Sequence, residues 1–227
     1  MNLRALYESP LQQPGLTGLV GLIAGGAAAL AAMRAQKTFL SRWTLLFALE
    51  ALLDGWLTGA ASPLDPRGAG ATAAAIFFVV LGDLRLYLLL ARYTRRAWAP
   101  QIFAEALAWA FAPSLVIAAL KRLAPWAVSQ SRHIYLIYEL TALPLLMIWL
   151  QGFVPRRLSR PEDAAERAWL SGVTAFFAAQ YTLWALADVA ILHGASWGWG
   201  LRVVPNVMYY GLFVAFAWRS APPGLKG

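Results

Sequence analysis

Apolar residues in this chain run in seven long segments, at 15–33, 43–61, 71–92, 101–120, 133–153, 169–192 and 201–218. A helix rises ~1.5 Å per residue, so a run of ~20 residues crosses the ~30 Å hydrocarbon core of a bilayer. Lipid offers backbone groups no hydrogen bonds, which leaves helices or closed barrels as spanning structures, and these runs are continuous rather than alternating. The fold expected is therefore all-α: a polytopic integral membrane bundle of about seven transmembrane helices, forming a single transmembrane domain over 1–227.

Composition agrees. The chain is 60% hydrophobic and 13% charged, against roughly 45–50% and 25% for soluble domains. Spans and short connections take up nearly all of the 227 residues, leaving no room for a soluble catalytic domain. The formal charge of +8 comes from Lys and Arg beside the ends of apolar segments rather than from a basic stripe studded with aromatics. It is read as a topology signal, and nucleic acid is not an expected partner. With no Cys, disulfides, thiolate nucleophiles and Cys-ligated metals are excluded. The stretch before the first span carries only Arg4, and the apolar run after it is longer than a signal-peptide core, so the first segment is expected to be a retained span.

Basic residues in short loops set the expected orientation. Arg34, Lys37 and Arg42 follow the first span, Arg92, Arg95 and Arg96 the third, and Arg156, Arg157, Arg160 and Arg167 the fifth. With Arg219 and Lys226 they place the C-terminus in the cytoplasm and the N-terminus outside, in a bacterial-type inner or plasma membrane. Lys121, Arg122 and Arg132 run against this scheme. Trp43, Trp98, Trp126, Trp197, Trp199 and Trp218 fall near segment ends, where interfacial anchors are expected; Ser196 to Gly200 (SWGWG), in the last outer loop, reads first as such an anchor and second as a lid or ligand rim. Pro113, Pro144 and Pro205 lie inside spans as expected kinks. Gly21 and Gly25 form a small-xxx-small pair that lets another helix approach, either within the chain or in a homo-oligomer or larger membrane complex.

Charged groups at membrane depth are expensive and usually face a bundle interior, a partner or a wet cavity. Glu50 and Asp54, four apart, share one helical face and together need a cation or a shared proton. Asp83 and Arg85 fall at similar depth but point to nearly opposite sides of their helix. Arg85 is expected to bridge to Glu50 or Asp54, leaving Asp83 for another helix, a ligand or a proton. A second group comprises Glu139, Asp188, Arg202 and Asn206. There Gln180, Trp184 and Asp188, Tyr135 and Glu139, and Asn206 and Tyr210 repeat at helical spacing, as if three polar faces enclosed a cavity suited to a small organic cation. Glu105 is expected to be solvated near Arg95 and Arg96, and His133 and His193 to be interfacial.

Three functions fit these residues. The first is a transporter, channel or receptor in which the intramembrane carboxylates and an arginine bind or move a small polar or cationic ligand or protons. The second is a non-catalytic subunit or assembly factor of a larger complex, and the third a membrane-embedded lipid hydrolase with Asp83 and Asp188 as acid and base. The G-x-S-x-G, H-E-x-x-H and Walker A motifs are missing, Ser114 and Ser171 have no neighbouring His, and no cofactor or resident metal is expected.

Overall fold

The computed structural model describes residues 2–66, 68–95, 99–129 and 131–226, so Arg96 and Trp98 lie outside the described residues. Among the described residues there are helices and no strands. The long helices are α1 (Leu11–Arg34), α2 (Phe39–Leu57), α3 (Ala69–Thr94), α4 (Ala99–Leu123), α5 (Arg132–Arg157), α6 (Pro161–Leu192) and α7 (Trp197–Ser220). Six of them, all except α2, are long and apolar enough to cross a membrane. Helix α2 has 19 residues but carries Arg42, Glu50 and Asp54. Its polarity is inverted relative to a soluble amphipathic helix: Trp43, Phe47, Glu50 and Asp54 are buried while Leu46, Leu49, Leu53 and Trp56 are exposed.

Helix boundaries follow local chemistry. Thr38 is extended and its side chain accepts from the Ser41 amide at 3.2 Å, capping α2. Gly194 takes a φ of +79° just beyond α6, where the Ala195 amide reaches back to the Ala190 carbonyl at 2.9 Å, a closure that favours glycine. Wide π-type turns occur at Ile148–Phe153 and Met208–Leu212, a few residues beyond Pro144 and Pro205. Pro113 leaves α4 regular.

The chain packs as two compact units. The first comprises residues up to Gly82 together with those from Val203 onward. Glycine permits its closest approaches. A methyl on Gly21 would stand 3.1 Å from the Tyr210 carbonyl oxygen, and one on Gly211 only 2.6 Å from Val20 Cγ1, while Gly25 lies against Ala48. The small-residue face of α1 thus contacts α2 and α7 of its own chain. Tyr209 donates to the Phe78 carbonyl at 3.2 Å, and its ring occupies the space a side chain at Gly82 would need. Trp43 and Trp218, expected as interfacial anchors, are buried instead, Trp43 against Phe47 and Phe213.

The second unit is Asp83–Arg202, built mainly on the pairing of α5 with α6. Tyr87, Trp109, Trp149 and Phe153 form an aromatic cluster with centroid separations of 5.1–6.3 Å. The SWGWG stretch is not a loop: Trp197 begins α7, and Gly198 seats that first turn against Ala187 and Ala190 of α6, where a Cβ would meet the Ala187 carbonyl at 2.7 Å. The glycines that suggested a loop serve close helix packing.

Candidate functional site

The second unit holds two buried carboxylate centres of different chemistry. At the first, Asp83 on α3 is 2% exposed. Tyr138 of α5 donates its phenol hydroxyl to Asp83 Oδ2 at 2.7 Å, and Tyr181 of α6 donates to Oδ1. The two rings lie 6.3 Å apart at 27°, so they approach the carboxylate as a stacked pair. The Ser114 side chain of α4 hydrogen-bonds Tyr138 in turn. A chain of hydroxyls and one carboxylate therefore connects four helices. Arg85, two residues on, is fully buried.

At the second centre Asp188 is fully buried and Glu139 3% exposed. Arg132 Nη1 lies 3.2 Å from Asp188 Oδ1, Arg202 pairs with that same oxygen, and Arg202 Nη1 lies 3.5 Å from Glu139 Oε1. Two guanidiniums thus balance two carboxylates. Asp188 Oδ2 and Glu139 Oε2 are buried, and the two carboxyl groups lie within hydrogen-bonding reach of each other. The Tyr135 ring, 45% exposed, sits 5.6 and 5.5 Å from the Arg132 and Arg202 guanidinium carbons, and Trp199 lies under Arg132 at 4.5 Å. These contacts are within cation–π range.

The opposite end of this unit carries Glu105, bracketed by Arg95 at 2.5 Å and Arg157 at 3.0 Å. Its side chain is only 13% exposed, so it is paired rather than solvated as expected. Arg157 also reaches Thr94 at 3.3 Å and lies over Trp149 and Phe153.

In the first unit Glu50 and Asp54 are 4% and 3% exposed, one turn apart on α2. Thr58 donates to Asp54 Oδ1 at 2.9 Å, and the Gln13 amide donates to Thr58 Oγ1 at 3.2 Å. Tyr210 hydrogen-bonds both Thr58 and Gln13. Asn206 is 5% exposed and belongs to this unit, whereas Glu139, Asp188 and Arg202 belong to the other.

All eight residues singled out from the sequence are thus buried, and three of them, Glu139, Asp188 and Arg202, meet in one cluster. Sequence reasoning missed Tyr138 and Tyr181 at Asp83, and Thr58 and Gln13 at Asp54. It placed Gln180 and Asp188 on an inward face, and both are fully buried, but it overlooked the neighbouring Tyr181, which is buried as well. Gln180 is buried with both amide atoms unpartnered. Arg132 was counted as a loop charge against the expected orientation, but it ion-pairs with Asp188. No group of three or more His, Cys, Asp or Glu suited to a metal ion occurs among the described residues. Comparison of the chain with protein-family models, with curated proteins and with solved structures finds no match.

Proposed function

We propose that this is a multi-pass membrane protein of the transporter or channel type, in which Asp83 takes up and releases a proton at mid-membrane depth. The observation that carries this reading is the capping of both Asp83 oxygens by phenol hydroxyls from two other helices, rather than by a fixed cation. Ionisable residues inside membrane bundles mark ion and proton pathways. Phenols can donate to the ionised carboxylate or turn to accept from the protonated acid, so both charge states find partners. The Ser114–Tyr138 link extends the chain of exchangeable hydroxyls toward the half-buried face of α4. In this reading α2 is the seventh span: at ~1.5 Å per residue its 19 residues reach ~28 Å, with leucines facing lipid and carboxylates facing protein. The N-terminus then lies outside and the C-terminus in the cytoplasm, as the basic loops favour.

The test is proton flux into vesicles containing the purified full chain and a trapped pH-sensitive dye, driven by a potassium diffusion potential. Flux above that of empty vesicles is expected in the wild type and is abolished in Asp83→Asn, with elution and melting confirming that the variant is folded. Equal flux in wild type and Asp83→Asn, or none in the wild type, sinks the assignment.

A further inference from the structure

Three helix ends meet at one face of the second unit. Helix α3 closes at Thr94, α4 opens at Ala99 and α5 closes at Arg157, and Glu105 of α4 joins them by pairing with Arg95 and Arg157. The ends of spans lie at the level of lipid headgroups rather than of hydrocarbon. Arg157 is firmly placed there. Its Nη2 donates to Glu105 Oε1 at 3.0 Å and its Nη1 to Thr94 Oγ1 at 3.3 Å. The Thr94 hydroxyl proton goes to the Leu90 carbonyl at 2.6 Å, which fixes that oxygen as an acceptor for the arginine. The Arg157 guanidinium carbon lies 4.6 Å from the ring centroid of Phe153 and 5.1 Å from that of Trp149, within cation–π range.

This pairing leaves charge over. Two guanidiniums face one carboxylate, a surplus of one positive charge. An arginine carries five N–H groups, of which Arg157 gives two to protein oxygens and Arg95 gives only its Nε–H. The Arg95 side chain is 43% exposed, against 20% for Arg157, so donors remain on the side open to headgroups. Planar guanidiniums match the oxygens of a phosphate two at a time, and basic pockets between membrane helices hold anionic headgroups in this way. Beside the arginines the surface turns apolar. Trp109 and Phe153 are half-buried with ring centroids 5.7 Å apart, and a Cβ on the half-buried Gly152 would meet nothing within 4 Å. An anion seated at the arginines therefore has an aromatic floor and open space next to it, which suits a phosphate that carries hydrocarbon.

We propose that Arg95 and Arg157, held by Glu105, form a binding site for the phosphodiester headgroup of an anionic phospholipid, with an acyl chain lying over Trp109, Gly152 and Phe153. The site does not rest on the proton reading of Asp83, which uses none of these residues.

Native mass spectrometry of the delipidated full chain, incubated with equal amounts of phosphatidylglycerol and phosphatidylcholine of identical chains, tests it. Phosphatidylglycerol is expected to be retained over phosphatidylcholine by about fivefold or more, the factor that ~1 kcal/mol per basic group represents. Arg95→Gln is expected to remove most of this preference while eluting and melting as wild type, because exposed pairs contribute little to stability. Arg157→Gln should remove it as well. Arg160→Gln, which alters an exposed arginine 3.8 Å from Glu162 beyond the end of α5, should keep the wild-type preference, and inorganic phosphate in excess should leave the lipid bound. Equal retention of both lipids by folded wild type, an undiminished preference in Arg95→Gln, or an equal loss in Arg160→Gln overturns the proposal. Full displacement of the lipid by inorganic phosphate overturns it too, and would assign the arginines to a soluble anion.

Discussion

Asp83 and Asp188 are buried alike in the same unit, 2% and 0% exposed, yet their partners differ in kind. Asp83 accepts from two neutral phenols, whereas Asp188 is gripped by two guanidiniums, Arg132 and Arg202. Tyr181, which caps the first, is seven residues before Asp188 on α6, so ~10 Å of helix separates the two environments. The difference teaches which buried acid is free to change charge. Loss of the Asp188 charge would leave two guanidiniums facing Glu139 alone, and removing one partner of a buried pair is strongly destabilising. Protonating Asp83 leaves both of its hydrogen-bond partners satisfied, because a phenol can turn from donor to acceptor. The paired carboxylate clasps α5, α6 and α7, and the capped one is the acid that the proposed proton exchange calls for.

The sharpest way to break this contrast is Asp188→Asn, which leaves Arg132 and Arg202 with Glu139 alone. A loss of ~3–5 kcal/mol is expected, measured as a large fall in Tm in detergent. The double variant Asp188→Asn with Arg132→Gln restores charge balance and should recover part of that loss. A Tm for Asp188→Asn as high as that of Asp83→Asn would erase the distinction between clasp and carrier.

A smaller effect is expected from Tyr181→Phe, which removes one phenol from Asp83 and leaves the ring stacked on Tyr138. Hydrogen bonds to charged groups are worth ~1.5–3 kcal/mol, so Tm should fall by less than in Asp188→Asn. The variant should also slow the vesicle proton flux, because the acid loses one of its two exchange partners. An undiminished rate would mean that Tyr181 holds Asp83 only structurally.

How far the sequence carries depends on the scale of the signal. Six membrane-length helices and their approximate extents are legible because each apolar run is a property of some twenty residues; the remaining expected segment, 43–61, forms the shorter, more polar α2. The first span is broken at Gln13, so its continuous helix starts close to the expected residue 15, whereas the last begins at Trp197 rather than 201. That error arose where the glycines near Trp197 looked like loop chemistry but were absorbed into a helix. The burial of Glu50, Asp54, Asp83, Arg85, Glu139 and Asp188 is legible from the cost of charge in lipid. Their partners are not. Tyr138 lies beside Glu139 and Tyr181 beside Gln180 in sequence, and ~100° of helical rotation per residue decides which of each pair turns toward Asp83. That angle is set by how α3, α5 and α6 pack, and no apolar count contains it. Trp43 shows the same limit: an aromatic near a segment end reads as an anchor until Phe47 and Phe213 are seen to enclose it.

Arg132 gives the finest test, because it is the more exposed of the two arginines on Asp188, with a side chain 20% exposed against 8% for Arg202. Its gain from the ion pair is screened by solvent, and exposed pairs contribute only ~0–1 kcal/mol. Arg132→Gln should therefore lower Tm far less than Asp188→Asn, although both changes touch the same contact. Raising the salt concentration should shrink the gap between Arg132→Gln and wild type, since screening weakens a rim charge most, and should leave the Asp188→Asn deficit nearly unchanged. A deficit for Arg132→Gln as large as that for Asp188→Asn would instead place Arg132 in the clasp on equal terms with Arg202, and stacking on Trp199 would then account for much of its hold.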